Sequence, residues 1–124
     1  MSSRTIILIA HGSRRTEANE EVHRLAQELA ASLKADQFLV AFLDAVAQPN
    51  IPETIDKAVA KGSNRILLLP YFLNTGNHVT RDIPAIVEEK RREYPQVTIK
   101  IAKHFGSHPR IVAILRDMVT NDPS

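Results

Sequence analysis

Four short apolar runs alternate along the chain with four amphipathic stretches, an order that predicts an α/β domain with a parallel sheet between helical layers. The third run, Ile66-Leu67-Leu68-Leu69-Pro70-Tyr71-Phe72, points the same way: it is continuously apolar, as expected of a central strand buried on both faces. Length adds a bound. At 124 residues the chain is near the common size of one domain, so residues 1–124 are read as a single core.

The first run is Thr5-Ile6-Ile7-Leu8-Ile9-Ala10, followed by a helix whose Val22, Leu25, Ala26, Leu29 and Leu33 recur at helical spacing. The second, Phe38 to Leu43, leads through Gln48-Pro49-Asn50 to a helix in which Asn50 and Glu53 have capping-box spacing. Ile51, Ile55, Ala58 and Val59 make its buried stripe, and Lys61-Gly62 closes it. Pro70 argues that regular pairing in the third run stops near it. A third helix is predicted from about Asp82 to Tyr94, with Pro84 in its first turn and Pro95 beyond its end. Val97-Thr98-Ile99-Lys100-Ile101 alternates apolar and polar, which suits an edge strand with one face partly wet. Ser107 and Pro109 then open a last helix carrying Ile111, Ile114, Leu115 and Met118.

Right-handed crossovers leave few ways to wind four such units, and the commonest gives the flavodoxin-like strand order 2-1-3-4. A crevice then opens at the carboxyl ends of strands 1 and 3, where the winding reverses. His11-Gly12-Ser13-Arg14 begins at the end of strand 1, and Asn77-His78 lies in the loop beyond strand 3, so both histidines belong beside that crevice. Asp44 follows strand 2 on the same rim. Two imidazoles and a carboxylate suit Fe, Co, Ni or Zn without any thiol, and the chain has no cysteine.

Blander readings stand beside these. A loop histidine is usually a polar surface residue, and Asp44 could equally start a turn. His23, between charged neighbours within the first helix, reads as a solvated helix residue, whereas His104 and His108 are second-tier candidates near the rim. Arg14, Arg15 and Arg81 flank the two histidine segments. Such residues are commonly solvated surface, but guanidinium groups here would suit a ligand with several carboxylates. Gly12 and Gly76 lie in no GxGxxG or P-loop arrangement, so they read as turn residues and no nucleotide site is indicated.

Composition excludes other classes. A formal charge of +2 with 5% aromatic residues and no long basic run argues against nucleic-acid binding. No apolar run reaches the roughly 18 residues a membrane helix needs, and Met1-Ser2-Ser3-Arg4 lacks signal-peptide order, so the expected compartment is the cytoplasm without membrane attachment.

Ile9-Ala10-His11-Gly12-Ser13-Arg14 resembles the opening motif of the small class II tetrapyrrole chelatases, the cobalt- or iron-inserting enzymes that act on sirohydrochlorin. Pro70-Tyr71-Phe72-Leu73 through Gly76-Asn77-His78-Val79 with Asp82-Ile83-Pro84 resembles their second motif, and Ala41-Phe42-Leu43-Asp44 to Gln48-Pro49 a third. The resemblance covers the first two thirds of the chain with consistent order and spacing.

It implies a chelatase-like fold and a lyase of cobalamin or siroheme biosynthesis that works without ATP. His11 and His78 would bind the incoming metal, Co²⁺ first and Fe²⁺ or Ni²⁺ as alternatives, and accept the pyrrole protons. Asp44 would assist as a third metal ligand, and Arg14, Arg15 and Arg81 would meet the tetrapyrrole carboxylates. The resemblance also implies a homodimer, since longer relatives hold two such domains in one chain. One departure stands out: Asp44 occupies the place of a family glutamate and is one methylene shorter. Two other readings stay open, a non-catalytic metal- or tetrapyrrole-binding protein of the same fold and a flavodoxin-like regulatory domain. The second is weakened because strand 1 ends in His-Gly rather than an acidic cluster.

Overall fold

A computed structural model describes residues 3–34, 37–76 and 81–124. The elements follow in the order β1 (Arg4–Ala10), α1 (Thr16–Ser32), β2 (Gln37–Phe42), α2 (Ile51–Ala60), β3 (Arg65–Pro70), α3 (Ile83–Glu93), β4 (Thr98–Ile101) and α4 (Ile111–Thr120). A 3₁₀ turn, Phe105–Ser107, precedes α4. The sheet is wholly parallel with the strand order β2-β1-β3-β4 that right-handed winding predicts, and it carries helices on both faces.

Alternation along each strand sends successive side chains to opposite faces. On one face Ile7, Ile9, Ala41, Ile66, Leu68 and Ile99 pack with Ile51, Ile55 and Ala58 of α2 and with Ile83 and Val87 of α3. Fully burying each larger side chain contributes about 1.5–3 kcal/mol, so this face holds most of the apolar stabilisation. On the other, Leu8, Ala10, Val40 and Phe42 pack with Ala26 and Val22 of α1.

The second face is less completely covered. Leu67 and Leu69 of β3 are only half-buried while Ile66 and Leu68 are buried, which corrects the expectation that the third run is enclosed on both sides. The reason is that α4 buries none of its residues and leaves this half of the sheet without a second helix.

Local signals match the elements they foretold. The Asn50 side chain accepts the Glu53 N–H at 2.9 Å as N-cap of α2, and Pro84 sits in the first turn of α3. At the edge, β4 alternates exposed Thr98 and Lys100 with buried Ile99. Where α2 and α3 lie side by side, the buried Lys90 ammonium donates to Asp56 Oδ1 at 2.6 Å and to Glu93 Oε2 at 2.9 Å, and the Tyr94 hydroxyl donates to the same Asp56 oxygen at 2.7 Å. A buried cation is tolerable only when paired and hydrogen-bonded, and here two carboxylates do both. The Arg91 guanidinium donates to the Ile99 carbonyl through Nη2 at 2.6 Å, fastening α3 to the edge strand.

Candidate functional site

His11 leaves β1 at the middle of the sheet, and the pairing does not stop with the strands. Leu43 N–H donates to the Ala10 carbonyl at 2.9 Å and Asp44 N–H to the His11 carbonyl at 2.8 Å, while on the other side Tyr71 N–H donates to the Ile9 carbonyl at 2.8 Å. His11 is thereby fixed between the carboxyl ends of β2 and β3. Its imidazole, exposed to solvent, meets Phe72 edge to face at 5.0 Å between ring centroids. Phe72 itself is buried among the residues under α3, so one wall of the histidine is core.

Gly12 makes this close approach possible. Its φ of +92° is one that only glycine adopts without strain, and a Cβ here would stand 3.0 Å from Ala47 Cβ and 3.1 Å from Phe42 Cβ. The next residue is clamped by α1: Ser13 N–H donates to Asn19 Oδ1 at 2.9 Å, and Asn19 Nδ2 donates back to the Ser13 carbonyl at 2.8 Å. Neither Asn19 nor Phe72 is visible as a site residue in the sequence. Asn19 is one polar residue of a charged helix, and Phe72 reads as the end of an apolar run.

Asp44 is exposed on the same rim, and its Oδ1 accepts the Val46 N–H at 3.0 Å, closing a small turn. The structure therefore brings His11 and Asp44 together through their backbones. His78, the other predicted metal residue, lies outside the described residues, and among those described no three His, Cys, Asp or Glu side chains converge as a metal-binding group.

Arg14, Arg15 and Arg81 are all exposed, the first two on the loop between His11 and α1 and the third on the turn into α3. Arg15 forms a loose ion pair with Glu17 at 3.7 Å; with both side chains largely in solvent, the pair contributes little and is readily exchanged for another carboxylate. The second-tier histidines fall beside β4's exit: His104 is half-buried, and His108 Nδ1 accepts the Arg110 N–H at 3.1 Å. His23 points from α1 and meets Phe42 edge to face at 5.7 Å.

Behind the rim the turn after β4 presses on the loop after β3. Gly106 N–H donates to the Phe72 carbonyl at 2.9 Å, and a Cβ at Gly106 would stand 1.7 Å from the Leu73 carbonyl oxygen. Tyr71 and Phe105 stack edge to face alongside at 5.2 Å.

The CbiX family model matches residues 5–122. The chain belongs to the CbiX family. A CbiX protein from Marinobacter aquaeolei VT8 has a crystal structure that superposes with a TM-score of 0.79 at 31% identity, covering 94% of each chain. SirB from Bacillus subtilis, solved with Fe³⁺, superposes with a TM-score of 0.82 at 25% identity; it covers 98% of this CbiX chain, which in turn covers 48% of SirB. Among curated proteins, the sirohydrochlorin cobaltochelatase of Methanococcus aeolicus is 35% identical over 82 residues, 66% of this chain and 57% of that protein. This CbiX chain spans about half the length of the first curated relatives it matches, between 36 and 57%. Among the described residues, no helix is long and apolar enough to cross a membrane.

Proposed function

We propose that this chain is a sirohydrochlorin metal chelatase of cobalamin or siroheme biosynthesis, inserting Co²⁺, with Fe²⁺ and Ni²⁺ also within reach of its ligand chemistry. One observation carries the reading: the His11-Gly12-Ser13-Arg14 motif begins at the sheet's central rim, where backbone bonds tie Ala10 and His11 to the β2 side and Ile9 to the β3 side, in a chain of the CbiX family. That is where an open α/β sheet presents its ligand crevice.

In this reading His11 and His78 hold the incoming ion and take up the pyrrole protons. Insertion exchanges one divalent ion for a pair of N–H protons, so charge balances without nucleotide or redox partner. A neutral imidazole can serve as ligand or base near pH 7, and Asp44 supplies an auxiliary carboxylate. Arg14, Arg15 and Arg81 meet the macrocycle's carboxylates. A second copy of the chain completes the cleft, and the protein works in the cytoplasm.

The test is direct. Sirohydrochlorin mixed with Co²⁺, Fe²⁺ or Ni²⁺ and the folded protein should change absorbance faster than a protein-free control. Binding of metal or tetrapyrrole with no acceleration for any of the three ions would leave a binding protein and overturn the enzyme reading.

A further inference from the structure

Asn19 pairs with Ser13 as one strand pairs with its neighbour. Its Oδ1 accepts the Ser13 N–H at 2.9 Å while its Nδ2 donates to the Ser13 carbonyl at 2.8 Å, the two bonds that facing residues exchange in an antiparallel ladder. A side-chain amide carries a donor and an acceptor on one planar group, so it can stand in for a peptide. Asn19 lies just inside the start of α1 and is half-buried, as is Ser13.

These bonds fall on the far side of a joint. Up to His11 the chain is held by the sheet, through the Asp44 N–H on the His11 carbonyl at 2.8 Å. Gly12 then turns it away with a φ of +92°, and glycine, lacking a Cβ, restrains its own torsions less than any other residue. Beyond the joint the hold passes to α1. Ser13 is tied to Asn19, and Arg15 is tied twice, its N–H donating to Ser13 Oγ at 3.0 Å and its carbonyl accepting the Ala18 N–H at 3.1 Å. Arg14 is the residue between these two fixed points. Its side chain is exposed, so the backbone beneath it decides where the guanidinium can reach.

We infer that Asn19 is a positioning residue for tetrapyrrole binding, setting the place of Arg14 relative to His11 across the Gly12 joint. The inference rests on the carboxylate role of Arg14 proposed above and names the group that gives that role its geometry. A long exposed side chain loses rotamer freedom when it grips a carboxylate, and a backbone that also had to be ordered would add to that cost. The clamp orders the backbone beforehand. Because Asn19 acts through Arg14, removing it weakens binding no more than removing Arg14 itself. The ion is held on the other side of the joint, so metal affinity does not respond. A clamp that only supported α1 would instead change affinity by the same factor whether or not Arg14 is present.

A double-mutant cycle tests this, with sirohydrochlorin titrated at low ionic strength into wild type, Asn19→Ala, Arg14→Ala and the double variant, and circular dichroism as the folding control. Alanine and leucine are better helix formers than asparagine, so Asn19→Ala and the bulkier Asn19→Leu, which loses the same two bonds, should both stay folded. Each should weaken sirohydrochlorin binding by up to the roughly 2- to 5-fold expected of Arg14→Ala, and the double variant should bind no worse than Arg14→Ala alone. Co²⁺ affinity without tetrapyrrole should match wild type. Full sirohydrochlorin affinity in folded Asn19→Ala and Asn19→Leu, beside a weakened Arg14→Ala, would overturn the inference and spare the role of Arg14. Losses that multiply in the double variant, or a Co²⁺ affinity that falls as far as the sirohydrochlorin affinity, would overturn it as well. Unchanged affinity in Arg14→Ala would remove the carboxylate role and the inference with it.

Discussion

The backbone N–H of Asp44 donates to the carbonyl of His11 at 2.8 Å, so the pairing of β1 with β2 continues past the ends of both strands. The Asp44 side chain has a second task in the turn through Val46. Asp44→Asn keeps an oxygen for that turn but removes the charge. It should fold like wild type and lower metal insertion at least tenfold, while Asp44→Glu retains activity. Asp44→Ala should additionally lose about 0.5–1.5 kcal/mol with the turn bond. Equal insertion rates for wild type, Asn and Ala variants would reduce Asp44 to a turn residue.

His11→Ala and His78→Ala should each abolish insertion. For His11, an exposed side chain in a loop at the rim, the loss of stability should be under about 1 kcal/mol, because such a side chain contributes little to the core. Thermal melts beside the absorbance assay check both halves of the statement; a folded variant turning over at the wild-type rate would remove that histidine from the site.

Gly12→Ala combines a strained φ with contacts of 3.0 and 3.1 Å to Ala47 and Phe42. A loss of about 1–3 kcal/mol is expected from denaturant titration. Activity should fall further than stability predicts, since the displaced residue neighbours His11.

Arg14→Ala and Arg81→Ala should weaken tetrapyrrole binding roughly 2- to 5-fold at low ionic strength and less at high salt, where exposed charges are screened. A binding titration at two salt concentrations decides it; unchanged affinity in both variants would end the carboxylate role.

Between α2 and α3 the Asp56 hydrogen bond pushes the Tyr94 phenol up to about 12, from 10.0. Burial would raise Asp56, yet hydrogen bonds from Lys90 and Tyr94 hold it below the ordinary carboxylate value. Burial would likewise lower Lys90, but its bonds to Asp56 and Glu93 raise it. The signs define a window. Asp56's contribution is present above its unfolded value of 3.8 and is lost as pH falls through the depressed folded value. Those of Tyr94 and Lys90 are present below their unfolded values of 10.0 and 10.5 and disappear as pH rises through the raised ones. In an ultraviolet titration, the tyrosinate step assigned to Tyr94 by Tyr94→Phe should move down toward 10 in Asp56→Ala. A step that stays near 12 would contradict the assignment.

Strand order and helix α2 were legible in the sequence because their causes are local: apolar runs separated by crossovers long enough for helices, and Asn50 three residues ahead of Glu53. The rim position of His11 followed from topology alone. What was not legible depends on distant partners. The two hydrogen bonds between Asn19 and Ser13 and the wall that Phe72 gives His11 join residues whose types announce nothing. The periodicity of Ile111, Ile114, Leu115 and Met118 reports a stripe but not what it faces, which is why Leu67 and Leu69 are wetter than an unbroken apolar run suggests.

Gly106 sets a condition on any hybrid chain assembled from this protein and a relative. Because the peptide at Leu73 passes where a side chain at 106 would start, the two loops interlock like a key in its ward. A graft that replaces the segment after β4 must bring hydrogen at that α-carbon, or the loop leading toward His78 is pried from the sheet. The last third of the chain, which contributes no metal ligand to the proposed chemistry, nonetheless decides whether the parts that do can be seated.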